Sequence, residues 1–225
     1  MTNIQYYLIH GIDKTREQRM INEFLSAGID LSWVKWIRYP NKDEISDELY
    51  NQIVEKIPSY SCGNYVHGSS VGRGVASCSY KHYLALKDIV ENNYEYGVIM
   101  EDNMQFIKGV NIPGRLKIYI QELNTYYPEW DILFDLKYGT NEYTLIPGRY
   151  VYPKLNEINQ FGHGGTRCAQ FYLITQKCAK KLYENYLPFN NAPDWWMNDL
   201  FRKLDILSFW ADPPAVDIWE HTSTA

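Results

Sequence analysis

The segment Tyr96-Gly97-Val98-Ile99-Met100-Glu101-Asp102-Asn103 carries the residue types best suited to chemistry in this chain. An apolar run ends abruptly in two carboxylates and an amide. Apolar runs this short, flanked by turn residues, form buried strands. Open α/β sheets bind ligands beyond the carboxyl ends of such strands. Acidic groups placed there can hold a hard divalent cation, which in turn holds phosphate. A metal–diphosphate site is one reading of the segment; a solvated acidic turn is the other. A second candidate, His67-Gly68-Ser69-Ser70-Val71-Gly72-Arg73-Gly74, resembles a phosphate loop. It lacks the Lys-Ser/Thr pair of a P-loop and follows no clear strand, so the expectation is a flexible turn that lets backbone approach a ligand. Cys62, Cys78, Cys168 and Cys178 show no Cys-x-x-Cys spacing and no histidine at ligand distance. Reduced, buried thiols are expected.

The elements that must position these groups follow from periodicity. Residues 5–10 (QYYLIH) read as a buried strand, residues 15–25 as a helix with Met20, Ile21, Phe24 and Leu25 on one face, and Gly28 as its C-cap. Residues 33–39 alternate as a second strand, so the chain opens with a βαβ unit and a parallel sheet. A weak helical pattern spans residues 48–54. A stronger one spans residues 75–92, with Ala76, Tyr80, Tyr83, Leu84, Leu86, Lys87 and Val90 around its buried side. After the acidic strand come a helix over residues 113–123, a strand over 130–136, a loop-rich stretch over 137–165, a strand over 170–174 and a helix over 176–186.

Bulk properties bound the function. A chain of 225 residues fits one domain with a sizeable core, and its 45% hydrophobic and 22% charged residues are those of an ordinary globular protein. A net charge of −5 without a basic stripe argues against a nucleic-acid partner. Aromatic residues reach 16%; pyranose rings stack on aromatic faces, but most of these side chains must be core. No apolar stretch approaches transmembrane length, and Met1-Thr2-Asn3-Ile4-Gln5 is not a signal-peptide n-region. The expectation is a soluble protein acting in the cytoplasm.

The order of motifs resembles glycosyltransferase family 25, the lipooligosaccharide and collagen-type galactosyltransferases. Asp13-Lys14-Thr15-Arg16-Glu17-Gln18-Arg19-Met20 is similar to the family's D-R-x-x-R-M helix start. Gly74-Val75-Ala76-Ser77-Cys78-Ser79-Tyr80-Lys81-His82 resembles its G-C-x-x-S-H block with a one-residue irregularity. Glu101-Asp102-Asn103 stands for its E-D-D metal motif, Trp130-Asp131-Ile132-Leu133 for its W-D-I/L strand, and residues 169–182 for its A-Y-L-I-S-x-x-G-A-x-K-L segment. Pro193-Asp194 falls where the family carries P-V-D. The resemblance implies a GT-A fold: an α/β, Rossmann-like, mostly parallel central sheet flanked by helices. It implies a single domain whose residues 1–110 bind the nucleotide sugar and whose residues 111–225 bind the acceptor. It also implies a UDP-sugar donor, Mn²⁺ or Mg²⁺, a hydroxyl acceptor on a glycan or protein, and inversion at the anomeric carbon. Galactose or glucose is the expected sugar.

Roles follow from the same resemblance. Glu101 and Asp102 would contact the metal and the ribose, with Asn103 as a neutral third metal ligand. Asp194 would be the base that deprotonates the acceptor, desolvated by Trp195 and Trp196; as an Asp after Pro it also reads as a helix N-cap, a role compatible with the first. Asp199 is the reserve base. Arg16 and Arg19 would approach the diphosphate or uracil, unless they lie on a solvated helix face. His82 is either a donor contact or a packed residue oriented by Ser79. His221 is either a last metal ligand or a surface histidine, and His163 and Arg167 would line the sugar pocket. The neutral amide at 103 leaves two further readings open, a non-catalytic sugar-nucleotide or glycan-binding protein and a metal-dependent phosphohydrolase. The latter lacks the usual Asp-x-Asp-plus-Lys arrangement.

Overall fold

The strand β1 (Ile4–Ile9) turns Tyr6 and Leu8 to one side and Tyr7 and Ile9 to the other, and all four side chains are buried. A strand buried on both faces belongs in the middle of a three-layer fold. The computed structural model describes residues 3–55, 60–62, 65–67, 71–136, 148–153 and 169–219.

From β1 the chain enters α1 (Lys14–Ser26), started by the Asp13 carboxylate, which accepts from the Thr15 and Arg16 N–H groups at 2.8 and 3.1 Å. At its other end Ala27 is the cap. Gly28, at φ +76°, takes the left-handed position that follows, with Ile29 N–H returning to Phe24 O at 2.9 Å. Leu25, expected on the buried face, is exposed, because Met20 and Phe24 alone point to the sheet. β2 (Val34–Ile37), α2 (Asp47–Ile53), the backbone hairpin β3 (Tyr60–Cys62) and β4 (Tyr65–His67), and α3 (Arg73–Glu91) lead back across the sheet to β5 (Tyr96–Glu101).

The buried stripe of α3 differs from the expected one. Ala76, Ser77, Ser79, Lys81, His82, Ala85, Leu86 and Ile89 are buried, whereas Tyr80, Tyr83, Leu84, Lys87 and Val90 are half-buried. The apolar pattern misled because four buried positions, Ser77, Ser79, Lys81 and His82, are polar. α3 packs closely on β5 at Gly97, where an added Cβ would lie 2.2 Å from Ile89 Cδ1.

The second half supplies β6 (Met104–Phe106), α4 (Ile112–Tyr126), β7 (Ile132–Phe134), β8 (Val151–Pro153), β9 (Phe171–Thr175), α5 (Gln176–Asn185), α6 (Pro193–Lys203), β10 (Ser208–Ala211) and β11 (Val216–Ile218). The seven-stranded sheet has the order β2-β1-β5-β9-β7-β10-β8. β2, β1, β5, β7 and β10 run one way; β9 and β8 are reversed. β8 lies in the stretch expected to be loop; it is an edge strand, the place where its terminal Pro153 is tolerated. β6 and β11 form a separate antiparallel pair. Residues of α1 and α4 share a core with one sheet face, and those of α2, α3, α5 and α6 share a core with the other.

Candidate functional site

β1 lies between β2 and β5, so the chain leaves it to one side and later returns to the other. The reversal between β1 and β5 is the crevice where open α/β sheets bind ligands. A cleft of about 500 Å³ opens there, lined by His10 and Gly11 after β1 and by Glu101, Asp102 and Asn103 at the end of β5. Arg16, Asn41, Cys78, Lys81 and Asp194 close its walls.

Asp102 has a partner on each carboxylate oxygen. His10 Nδ1 lies 2.7 Å from its Oδ2, and Arg16 Nη1 donates to its Oδ1 at 3.0 Å. Burial raises the pKa of this carboxyl, but the hydrogen bond from His10 and the charge of Arg16 outweigh it and hold the group below the usual aspartate value. Arg16 is thus turned inward from the first turn of α1, set by the Asp13 cap. Arg19 is turned inward as well, but behind the acidic turn. It donates to the carbonyls of Met104 (2.8 Å) and Asp102, and its guanidinium lies 4.3 Å from the Trp219 ring centroid. It is not among the cleft-lining residues. Neither arginine lies on a freely solvated helix face.

Glu101 Oε1 is 3.1 Å from His82 Nε2, and His82 Nδ1 is 2.8 Å from the Tyr172 hydroxyl. Tyr172 O–H donated to Nδ1 and Nε2–H donated to Glu101 satisfy all three groups with a neutral ring. His82 is fully buried, and Tyr172 rather than Ser79 orients it; Ser79 Oγ donates to Asn191 O at 3.4 Å. Asn103 Oδ1 is buried without a hydrogen-bond partner, and its main-chain carbonyl accepts from Trp219 N–H at 2.9 Å.

Lys81, buried in the middle of α3, donates from Nζ to His10 O (2.9 Å) and Asn41 Oδ1 (3.2 Å). Desolvation lowers its pKa, only partly opposed by Cys78, Asp102 and Glu44. Sequence reasoning passed over His10, Asn41 and Lys81. The signal available for His10 was a polar residue ending an apolar strand, and for Lys81 a cation at the position of Ser in the family block.

On α6, Ala192 is the N-cap, Pro193 opens the helix, and Asp194 sits in the first turn. Because Ala192 holds the N-cap, the expectation that Asp194 caps this helix is corrected; Asp194 lines the cleft. Asp199 is exposed and ion-paired with Arg202. Five residues advance a helix by about 500°, which puts Asp199 about 140° around the axis from Asp194 and off the cleft. Trp195 and Trp196 are half-buried and do not line the cleft; Trp196 Nε1 donates to Tyr186 O at 2.8 Å. His163, Arg167 and His221 lie outside the described residues, as does the Gly68–Ser70 part of the glycine-rich loop. Gly72 caps α3, with nothing within 4 Å of where a Cβ would stand, and Gly74 lines the cleft.

The cysteine reading also needs correction. Cys78 and Cys178 are free thiols, Cys78 half-buried and Cys178 buried. Burial, reinforced by Glu101, raises the Cys78 thiol well above its ordinary value. Cys78 is one helical turn before His82, and Sγ, a His82 ring nitrogen and a Glu101 oxygen all lie within 4.8 Å of one another. A histidine does stand at ligand distance.

The model of glycosyltransferase family 25 (LPS biosynthesis protein) matches residues 5–197. The chain belongs to glycosyltransferase family 25. Over 125 residues it is 25% identical to procollagen galactosyltransferase 1-B of Xenopus laevis, a stretch that covers 53% of this chain and 18% of that protein. The matched region is less than a fifth of that relative's length. Among solved structures, a protein from STIV is similar over 95% of this chain and 83% of its own, at 10% identity and a TM-score of 0.48. Mouse xyloside xylosyltransferase 1, in its apo form, is similar over 91% and 71%, at 12% identity and a TM-score of 0.41. The fold is established by the sheet itself: a mixed, mostly parallel seven-stranded sheet with helices on both faces, the α/β GT-A architecture expected from the sequence. The family this model describes is one of glycosyltransferases. Among the described residues, no helix is long and apolar enough to cross a membrane.

Proposed function

We propose that the cleft binds a UDP-sugar with a divalent cation and transfers the sugar, with inversion, to a hydroxyl of a glycan or protein. The observation that carries this reading is the convergence of Glu101, Asp102, Asn103, Arg16 and Asp194 on one cleft at the β1/β5 reversal. Most of the lining comes from residues 9–103 and a smaller part from 169–194, in keeping with a donor-binding first half and an acceptor-binding second half within one domain.

The oxygens of Glu101, Asp102 and Asn103 suit a hard cation, and the buried, unpartnered Oδ1 of Asn103 is an acceptor in want of one. Mn²⁺ or Mg²⁺ held there would offset the charge of the departing diphosphate. Arg16 supplies fixed positive charge on the same wall. Asp194 takes the proton of the acceptor hydroxyl as its oxygen attacks the anomeric carbon from the face opposite the leaving group. His82 and Tyr172 hold Glu101 in one orientation, so that it can accept from a ribose hydroxyl without reorganising.

The test is UDP release from a panel of UDP-sugars, galactose and glucose first, with Mn²⁺ and with EDTA. Mn²⁺-dependent release on addition of acceptor supports the proposal. A second reading, a non-catalytic sugar-nucleotide binder, is favoured by one observation: both Asp102 oxygens are already engaged by His10 and Arg16, and the third ligand is a neutral amide. It predicts UDP binding without turnover for any donor, in the wild type and in Asn103→Asp alike.

A further inference from the structure

We propose that Cys78, His82 and Glu101 form a binding site for a thiophilic divalent cation, Zn²⁺ being the natural occupant, which shares Glu101 with the hard-oxygen site but not Asp102 or Asn103. Three ligand types that zinc favours meet here from two elements: a thiol and an imidazole one turn apart on α3, and a carboxylate at the end of β5. Spacing of four residues puts the first two on the same helix face. Ligand atoms around tetrahedral zinc, at bond lengths of about 2.0–2.3 Å, stand roughly 3.2–3.8 Å apart. The observed 3.1 Å between His82 Nε2 and Glu101 Oε1 is just under that range, and Cys78 Sγ completes a set within 4.8 Å.

The surroundings suit such a cation. Tyr172 holds the far nitrogen of His82; in the metal-bound tautomer Nδ1–H donates to the tyrosine oxygen and frees the Nε2 lone pair for the cation. Stacking of the two rings, with centroids 5.7 Å apart and an interplanar angle of 14°, fixes the imidazole plane. Cys78 must give up its proton, which a coordinated zinc ion enforces by its own charge. Because Cys78 and Glu101 both line the cleft, the fourth position faces the space where the donor is proposed to bind. A water or a phosphate oxygen fits there. Glu101 belongs to both clusters, so zinc on Cys78 and His82 competes with the use of Glu101 in transfer and acts as an inhibitor.

Cobalt(II) titration of the full chain, freed of metal by chelation and kept reduced, tests this without reference to activity. The expected result is a stoichiometric near-ultraviolet thiolate-to-cobalt band with intense visible bands of a four-coordinate ion, both displaced by Zn²⁺. In Cys78→Ser the thiolate band disappears, and in His82→Gln cobalt affinity falls by about 10–100-fold. In Asp102→Asn the spectrum persists, which separates this site from the oxygen cluster. Circular dichroism confirms that each variant is folded; a variant that is not is replaced by Cys78→Ala or His82→Asn. Absence of the thiolate band in the folded wild type, or a band that survives in Cys78→Ser, overturns the proposal. So does cobalt binding that is lost in Asp102→Asn but unchanged in His82→Gln. None of these outcomes bears on whether UDP-sugar is the donor.

Discussion

Asp102 and Asp135 are two aspartates just beyond the ends of neighbouring-direction strands, and their surroundings treat charge in opposite ways. Asp102 follows β5 and meets the His10 ring nitrogen on one oxygen and the Arg16 guanidinium on the other. Asp135 follows β7, is fully buried, and meets neutral donors, the Tyr119 hydroxyl at 2.9 Å and Ala215 N–H at 2.6 Å. Burial acts on both. At Asp102 the partners outweigh it and the pKa falls; at Asp135 burial outweighs the hydrogen bonds and the pKa rises to about 6. An aspartate kept ionised at the mouth of a cleft can bind cations and ligands. One pushed toward its neutral form in the core ties α4 to the β10–β11 connection.

Four substitutions sharpen or break that contrast. The largest effect is expected for Asp102→Ala, which removes Mn²⁺-dependent UDP binding below detection in calorimetry, while Asp135→Asn binds UDP as the wild type does. If Asp102→Ala binds as well as the wild type, Asp102 is a structural aspartate like Asp135. Next is Asp194→Asn. Loss of a general base lowers transfer by about 10²–10⁴-fold with UDP affinity nearly unchanged. Unchanged transfer would remove Asp194 from the mechanism.

The third effect is on stability. Asp135 has a folded pKa of about 6, above its unfolded value of 3.8, so the fold binds its proton more tightly than the unfolded chain does. Its favourable contribution is complete below pH 3.8 and is lost as pH rises through 6, a change of at most about 3 kcal/mol. Asp102 has the opposite sign: its lowered pKa contributes stability above the unfolded value that is lost as pH falls. Denaturant unfolding of wild type and Asp135→Asn between pH 4 and 7 should show the wild type losing stability relative to the variant as pH rises. Parallel curves would mean that Asp135 is ionised throughout. The smallest effect is that of Asn103→Asp, which adds one anionic oxygen and should tighten Mn²⁺ binding by a few-fold, measured by calorimetry. Weaker Mn²⁺ binding in that variant would place the ion away from position 103.

The sequence revealed what periodicity and apolar runs can carry. β1, β5, α1 and the βαβ opening were legible because their burial is continuous or evenly spaced. The acidic turn at Glu101–Asp102 was legible because an apolar strand ends there in two adjacent carboxylates and its motif matches the family order. α3 was legible as a helix but not in its facing, since the side it buries is polar at Ser77, Ser79, Lys81 and His82. Those four positions look solvent-exposed by composition; Ser77 and Lys81 line the cleft, while Ser79 bonds to Asn191 and His82 to Tyr172 and Glu101. His10, Asn41 and Lys81 meet across 71 and 40 positions of sequence, a closeness that only the folded chain creates. The same is true of Cys78 and Glu101. Short strands such as β6, β8, β10 and β11 are too brief to have a period and depend on their partners.

UDP release, followed by mass spectrometry from UDP-galactose and other UDP-sugars with Mn²⁺ and a panel of hydroxyl acceptors, decides whether this cleft transfers sugar. Wild-type protein should release UDP with transfer of the sugar, and EDTA or Asp102→Ala should stop it. Binding of UDP without turnover of any donor, equal in wild type and Asp102→Ala, would contradict the proposal.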